Sequence, residues 1–151
     1  MSIDHNTLLF FDSSCLIAAS GSLNGGAGFL LSLCNRGFVR GAISQYVMVE
    51  AERNIQKNLK PIALMSYHQL LATVPFEIAP LPSPLPALPA INAKDMHVVA
   101  AALAISAVYL ITLDKGLLNE TNSVNLGLQA FTPGDFIKTI LPLHVDIPSV
   151  R

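Results

Sequence analysis

Residues 92–116 read NAKDMHVVAAALAISAVYLITLDKG, and the way this stretch divides decides the fold. From Met96 to Leu113 it holds no Asp, Glu, Lys or Arg, and Asp95 and Asp114 bracket it. That is close to the length of a membrane span. His97, Ser106 and Thr112 interrupt the run, however, and at Ser106 it changes from alanine-rich to rich in Val, Tyr and Ile. Alanine favours helix, whereas β-branched and aromatic residues favour strand. The stretch therefore reads as a helix from Ala93 to about Ser106 capped by Asn92, a strand from Val108 to Thr112, and a turn at Asp114-Lys115-Gly116. No membrane association is expected.

Outward from this unit, the same alternation recurs. Thr7 to Phe11 reads as a buried strand and Ser13 to Ala19 as a helix; a glycine-rich break from Gly21 to Gly28 precedes a short helix from Phe29 to Asn35. Phe38 to Ile43 reads as a second strand. Ser44 then caps an amphipathic helix from Gln45 to about Leu59, with Met48, Ala51, Ile55 and Leu59 as its apolar stripe and Arg53, Lys57 and Lys60 opposite. Ile62 to Thr73 is a helix behind Pro61, and Phe76 to Ala79 a short strand. Five prolines between Pro80 and Pro89 predict a stiff, extended connector. Leu126 to Phe131 reads as the last strand, and Thr132-Pro133-Gly134-Asp135 starts a helix that ends near Pro142. Apolar strands alternating with helices predict an α/β protein: a three-layer α/β/α sandwich around a mainly parallel central sheet.

The 151 residues are 52 per cent hydrophobic and 13 per cent charged, which excludes disorder and predicts a single domain spanning 1–151. A net charge of -1 excludes a global basic field, so any nucleic-acid contact must be local. Two cysteines do not make a disulfide scaffold, and Met1 to Asn6 carries no Lys or Arg before the first apolar run; a cytoplasmic location is expected.

In parallel sheets, ligands gather beyond the carboxyl ends of the strands. Asp12 directly follows the first strand and Asp114 follows the Val108–Thr112 strand by two residues, while Asp95 opens the helix before that strand and Glu50 lies on the polar side of the amphipathic helix. Each has an ordinary alternative: Asp12 as a helix cap, Asp95 as a complement to a helix dipole, Asp114 as a turn former, Glu50 as a partner of Arg53. Four acids at one sheet edge would repel one another unless a divalent cation offsets them. Mg²⁺ or Mn²⁺ suits such oxygen donors and serves phosphodiester hydrolysis. This reading requires the carboxylates to converge, and pairing with lysine or arginine would count against it.

The segments LLFFDSSCLIAA, SQYVMVEAERNI, AKDMHVVAAALAISAVYLITLDKGLL and TPGDFI resemble, in order and spacing, the successive motifs of PIN domains. The resemblance covers nearly the whole chain. It implies a metal-dependent endoribonuclease, of the kind found as the toxin of VapBC-type toxin–antitoxin pairs, with RNA as substrate. So apolar a chain with so few charges also calls for a partner to cover apolar surface, a homodimer, an antitoxin protein or both. By motif, Asp12, Asp95 and Asp114 are implied as metal ligands, Glu50 as the fourth catalytic acid in preference to Glu52, and Ser13 and Thr112 as hydroxyls beside the site. Ser14 stands where asparagine is common, and Ala93 where proline is frequent. Arg53, Lys57 and Lys60 are candidates for RNA binding, with a solvated helix face as the plainer alternative.

Two other functions compete. A non-catalytic PIN-like module that docks RNA or protein predicts an incomplete acid set. A phosphoacceptor domain resembling response-regulator receivers would need an aspartate after the strand at Phe38 to Ile43, and none is there. Cys15 reads as a buried structural thiol, and the four histidines show no zinc spacing.

Overall fold

The computed structural model describes residues 2–147. Five strands, β1 (Leu8–Phe11), β2 (Arg40–Ser44), β3 (Glu77–Ala79), β4 (Tyr109–Ile111) and β5 (Gln129–Phe131), pair in parallel in the order β3-β2-β1-β4-β5. Seven helices connect and flank them: α1 (Ser13–Gly21), α2 (Gly26–Asn35), α3 (Gln45–Asn58), α4 (Pro61–Thr73), α5 (Met96–Ala104), α6 (Lys115–Asn122) and α7 (Pro133–Thr139). The right-handed crossover rule sends α1 to α4 to one face of the sheet and α5 and α6 to the other; α7 packs on α2 in the first layer. The result is the expected three-layer α/β/α sandwich with a parallel sheet.

Covered on both faces, β1 has no polar alternation: Leu9, Phe10 and Phe11 are wholly buried, as are Leu110 and Ile111 beside them on β4. No single helix among the described residues is long and apolar enough to cross a membrane. The bent pair α1 and α2 reaches that apolarity jointly, but its apolar side chains Leu16, Leu30 and Leu31 are spent on the core.

The structure moves several expected boundaries. The helix expected at Phe29 begins at Gly26, because Gly28 is there for space: a Cβ on it would stand 2.3 Å from the Leu23 carbonyl oxygen. The second strand begins at Arg40, not Phe38. Gly37, at φ +81°, and Phe38 close α2 instead, with their N–H groups donating back to the Cys34 and Leu33 carbonyls. The third correction is a helix where a turn was expected: Asp114-Lys115-Gly116 opens α6. Gly116, Asn119, Thr121 and Asn122 give that segment weak helix propensity, and packing on β5 supplies what propensity lacks. On α3, the buried residues are Val47, Ala51 and Ile55, one step round from the expected stripe, and Leu59 stays over a third exposed. Residues 80–92 hold neither helix nor strand, as the proline run predicts.

Candidate active site

The strand order reverses between β1 and β4, the position where a parallel sheet opens a crevice at its carboxyl edge. Register pairs Phe10 with Leu110 and Phe11 with Ile111, so Asp12 and Thr112 leave the sheet side by side. The Asp12 backbone N–H closes the ladder by donating to the Ile111 carbonyl at 3.2 Å.

Asp12 occupies the N-cap position of α1, yet its side chain makes no cap hydrogen bond. Its carboxylate is instead held by two hydroxyls. Thr112 Oγ1 donates to Oδ2 at 2.5 Å, and Ser14 Oγ donates to Oδ1. Each hydroxyl is itself aimed by a backbone donor: the Asp114 N–H donates to Thr112 Oγ1 at 2.9 Å and the Leu113 N–H to Ser14 Oγ at 2.9 Å. The β4–α6 turn therefore grips the Asp12 carboxylate from both sides. Asp12 is 5% exposed, and among the described residues no Lys, Arg or His forms an ion pair with it. Burial pushes its pKa up to about 6; the two hydroxyls oppose the rise, and the charge of Asp114 adds to it.

Asp95 starts α5, also without a cap hydrogen bond, and is largely buried. Burial raises its pKa; the Lys94 ammonium works against that, and the charges of Asp114 and Glu120 reinforce it. Asp114 does cap a helix, as its plainer reading had it: Oδ1 accepts the Leu117 N–H at 3.2 Å. That N–H is the main reason its pKa lies below the ordinary value, with Lys94 assisting against partial burial. Its other oxygen, Oδ2, is left toward Lys94 at 3.5 Å.

Lys94 links the two acids, lying 3.2 Å from Asp95 Oδ2 and 3.5 Å from Asp114 Oδ2. Two of the four carboxylates thus have a lysine partner, which corrects the expectation that a metal ion alone balances them. The lysine side chain is 65% exposed, however, and exposed pairs of this kind contribute roughly 0–1 kcal/mol. Among the described residues no three His, Cys, Asp or Glu side chains are gathered closely enough to form a metal cage. Glu50 is on the same side but engaged differently. Its Oε1 accepts a hydrogen bond from Ser13 Oγ at 2.7 Å, rather than an ion pair from Arg53.

Asp114 is thus the acid whose charge both Asp12 and Asp95 feel, and Glu50 is bonded to Ser13, the chain neighbour of Asp12. Two participants escaped sequence reasoning, and a third, Lys94, was visible only as one of several unplaced cations beside Arg36, Arg40 and Lys115. Ser14, not Ser13, is the hydroxyl on Asp12; Lys94 bridges two of the acids; and Glu120 of α6 adds its charge to Asp95 while accepting the Asn92 N–H at 2.7 Å. The i+2 position of Ser14 after Asp12 was the available signal, since a hydroxyl there turns back onto the preceding carboxylate. Glu120 had none, because the reading stopped at a turn over Asp114-Lys115-Gly116 and gave the residues beyond it no element.

Cys15 and His144 have structural roles. Cys15 is fully buried with Sγ donating to the Ile111 carbonyl at 3.3 Å, and burial lifts its thiol pKa far above the usual range. His144 Nε2 sits 2.6 Å from the Phe38 carbonyl, a structural contact. Arg53, Lys57 and Lys60 are exposed and free of acid partners among the described residues.

The chemistry of the donor set fits a hard cation: oxygen donors only, one of them buried without a counter-ion, and an ammonium already standing where positive charge is called for. The arrangement is open rather than preformed around an ion.

No family model and no curated protein matches the chain. Solved structures do. A chain of VapBC2 from Rickettsia felis, a structure bound to a DNA fragment from its promoter, superposes with a TM-score of 0.57 at 15% identity, covering 83% of this chain and 99% of that one. A chain of VapBC-1 from nontypeable Haemophilus influenzae gives a TM-score of 0.55 at 15% identity, covering 85% and 99%. The protein therefore has the PIN-like α/β/α fold, shared with chains of these two VapBC structures.

Proposed function

We propose that the protein is a divalent-metal-dependent endoribonuclease, the toxin half of a VapBC-type pair. One observation carries this reading: at the switch point of the sheet, Asp12 is a buried carboxylate with no cationic partner among the described residues, oriented by two hydroxyls and close enough to Asp114 to feel its charge. A structural role alone does not account for an unneutralised buried carboxylate, which is costly to keep charged.

Asp12, Asp95 and Asp114 would hold Mg²⁺ or Mn²⁺, which, when bound, polarises a phosphodiester and acidifies a water. The chain's own groups do the rest. Thr112 and Ser14 fix the Asp12 oxygens, Glu50 and Ser13 form a hydrogen-bonded pair able to orient a water or take its proton, and Lys94 is free to turn from the acids toward a phosphate. Arg53, Lys57 and Lys60 provide local positive charge for an RNA backbone. An antitoxin chain and a second copy of this chain are the partners in this reading; Ile62 and Met65, one turn apart on α4 and 65% and 68% exposed, offer apolar surface for one of them.

A second reading, a non-catalytic PIN-like module that docks RNA or protein, draws on the Lys94 bridge and the open carboxylate arrangement. RNA cleavage assayed with and without EDTA, in the wild type and in Asp12→Asn and Asp114→Asn, separates the two. The nuclease reading expects cleavage that EDTA abolishes and both substitutions suppress; cleavage persisting in both variants contradicts it.

A further inference from the structure

The outward side of α3 differs from an ordinary solvated helix face. At about 100° per residue, a helix that buries Val47, Ala51 and Ile55 must present Tyr46, Val49, Glu50, Arg53 and Lys57 on the opposite side, and all five are exposed. An aromatic ring thus leads a stripe that turns cationic.

Tyr46 is 60% exposed but not loose. Its ring lies on that of His97, with centroids 5.0 Å apart and planes tilted by 36°. His97 follows Asp95 by two residues, and Glu50, one turn beyond Tyr46, is bonded to Ser13 beside Asp12. Tyr46 therefore neighbours Glu50 on the face of α3. A groove of about 370 Å³, lined by Gln45, Tyr46, Val49 and Arg53, opens beside the ring.

Resting on the nuclease reading above, we propose that Tyr46, braced by His97, stacks an unpaired nucleobase, and that Arg53 and Lys57 follow the adjoining phosphates. The ring supplies a sequence-tolerant face for a base, and the cations match a phosphate chain. A base inside a duplex is already stacked and unavailable, so the strand must be single where it enters the site. A second copy of this chain fits the stripe less well: two-fold pairing of the face about its middle would set Arg53 against its own like.

The test is titration of a short single-stranded RNA bearing 2-aminopurine with full-length protein in EDTA at low salt, where binding is read without cleavage. Wild type quenches the probe; Tyr46→Ala binds about tenfold more weakly with the quench lost, and Tyr46→Phe stays within about twofold. The annealed duplex binds less tightly than the single strand. Equal affinity and equal quench in Tyr46→Ala, with its circular dichroism unchanged, overturn the inference. So does a Tyr46→Ala variant whose sedimentation coefficient changes while its RNA binding does not, since the face then belongs to a second copy. Wild type that binds RNA in this Tyr46-dependent way yet never cleaves it with Mg²⁺ retires the nuclease reading and keeps the stacking site. Cleavage with binding indifferent to Tyr46 does the reverse.

Discussion

Thr112 Oγ1 donates to Asp12 Oδ2 at 2.5 Å across 100 positions of sequence, and the same oxygen accepts the Asp114 N–H at 2.9 Å. One hydroxyl thereby couples the ends of β1 and β4 to the start of α6. Thr112→Val keeps the shape of this fully buried side chain and removes both bonds. A hydrogen bond to a charged group contributes roughly 1.5–3 kcal/mol. Thr112→Val should therefore lose about 2 kcal/mol of stability in urea denaturation at pH 8 and lose most RNA cleavage, while Thr112→Ser retains both. Wild-type behaviour of Thr112→Val would show the hydroxyl to be idle.

Asp12 gives the protein a distinctive pH dependence. In the unfolded chain its carboxyl titrates at the ordinary 3.8, and in the folded metal-free protein at about 6. The folded state holds the proton more tightly, so raising the pH between those values destabilises the fold, and above about pH 6 the full cost of the buried charge is present. At ~1.4 kcal/mol for each tenfold change in proton affinity, that cost is about 3 kcal/mol. Asp12→Asn removes it, offset in part because the amide cannot accept from both Ser14 and Thr112. In EDTA, the stability of Asp12→Asn relative to wild type should rise by about 1–3 kcal/mol from pH 4 to pH 8. A constant difference would mean that Asp12 is not strained by burial.

Much of this was legible in the chain and some was not. The Ala-to-Val/Tyr/Ile change at Ser106, and Asp12 at the end of an all-apolar strand, carried the fold and the centre of the site, because burial on both sheet faces writes itself as unbroken hydrophobic sequence. Gly26 and Gly28 hid the start of α2, since propensity cannot register that Leu23 leaves no room for a side chain. Asp114 concealed α6 because the same residue type opens turns and helices. Lys94 was visible only as a charge, and its place between Asp95 and Asp114 depends on how α5 and the β4–α6 turn meet.

Lys94 should compete with a metal ion for Asp95 and Asp114. Lys94→Met removes the competitor, and, with screening at an exposed side chain, affinity for Mn²⁺ measured by calorimetry should tighten by about threefold to tenfold. The metal-free protein should also melt slightly lower, its acids then lacking a counter-charge. Weaker Mn²⁺ binding in Lys94→Met would place the lysine outside this competition.

Glu50 is committed to Ser13 rather than to the Asp12, Asp95 and Asp114 group. Glu50→Gln should therefore reduce RNA cleavage by roughly 10²-fold or more, the scale of a lost proton-handling group, while leaving Mn²⁺ affinity within about threefold. Equal losses of binding and cleavage would make Glu50 a ligand instead.

The central claim is that Asp12, Asp95 and Asp114 share one divalent ion. Titration of Mn²⁺ into the full-length protein, followed by electron paramagnetic resonance of the free ion, tests it without recourse to activity. Wild type should take up Mn²⁺ at a site that Asp12→Asn, Asp95→Asn and Asp114→Asn each weaken by about tenfold or more; binding that none of the three substitutions alters, or no binding at all, would contradict it.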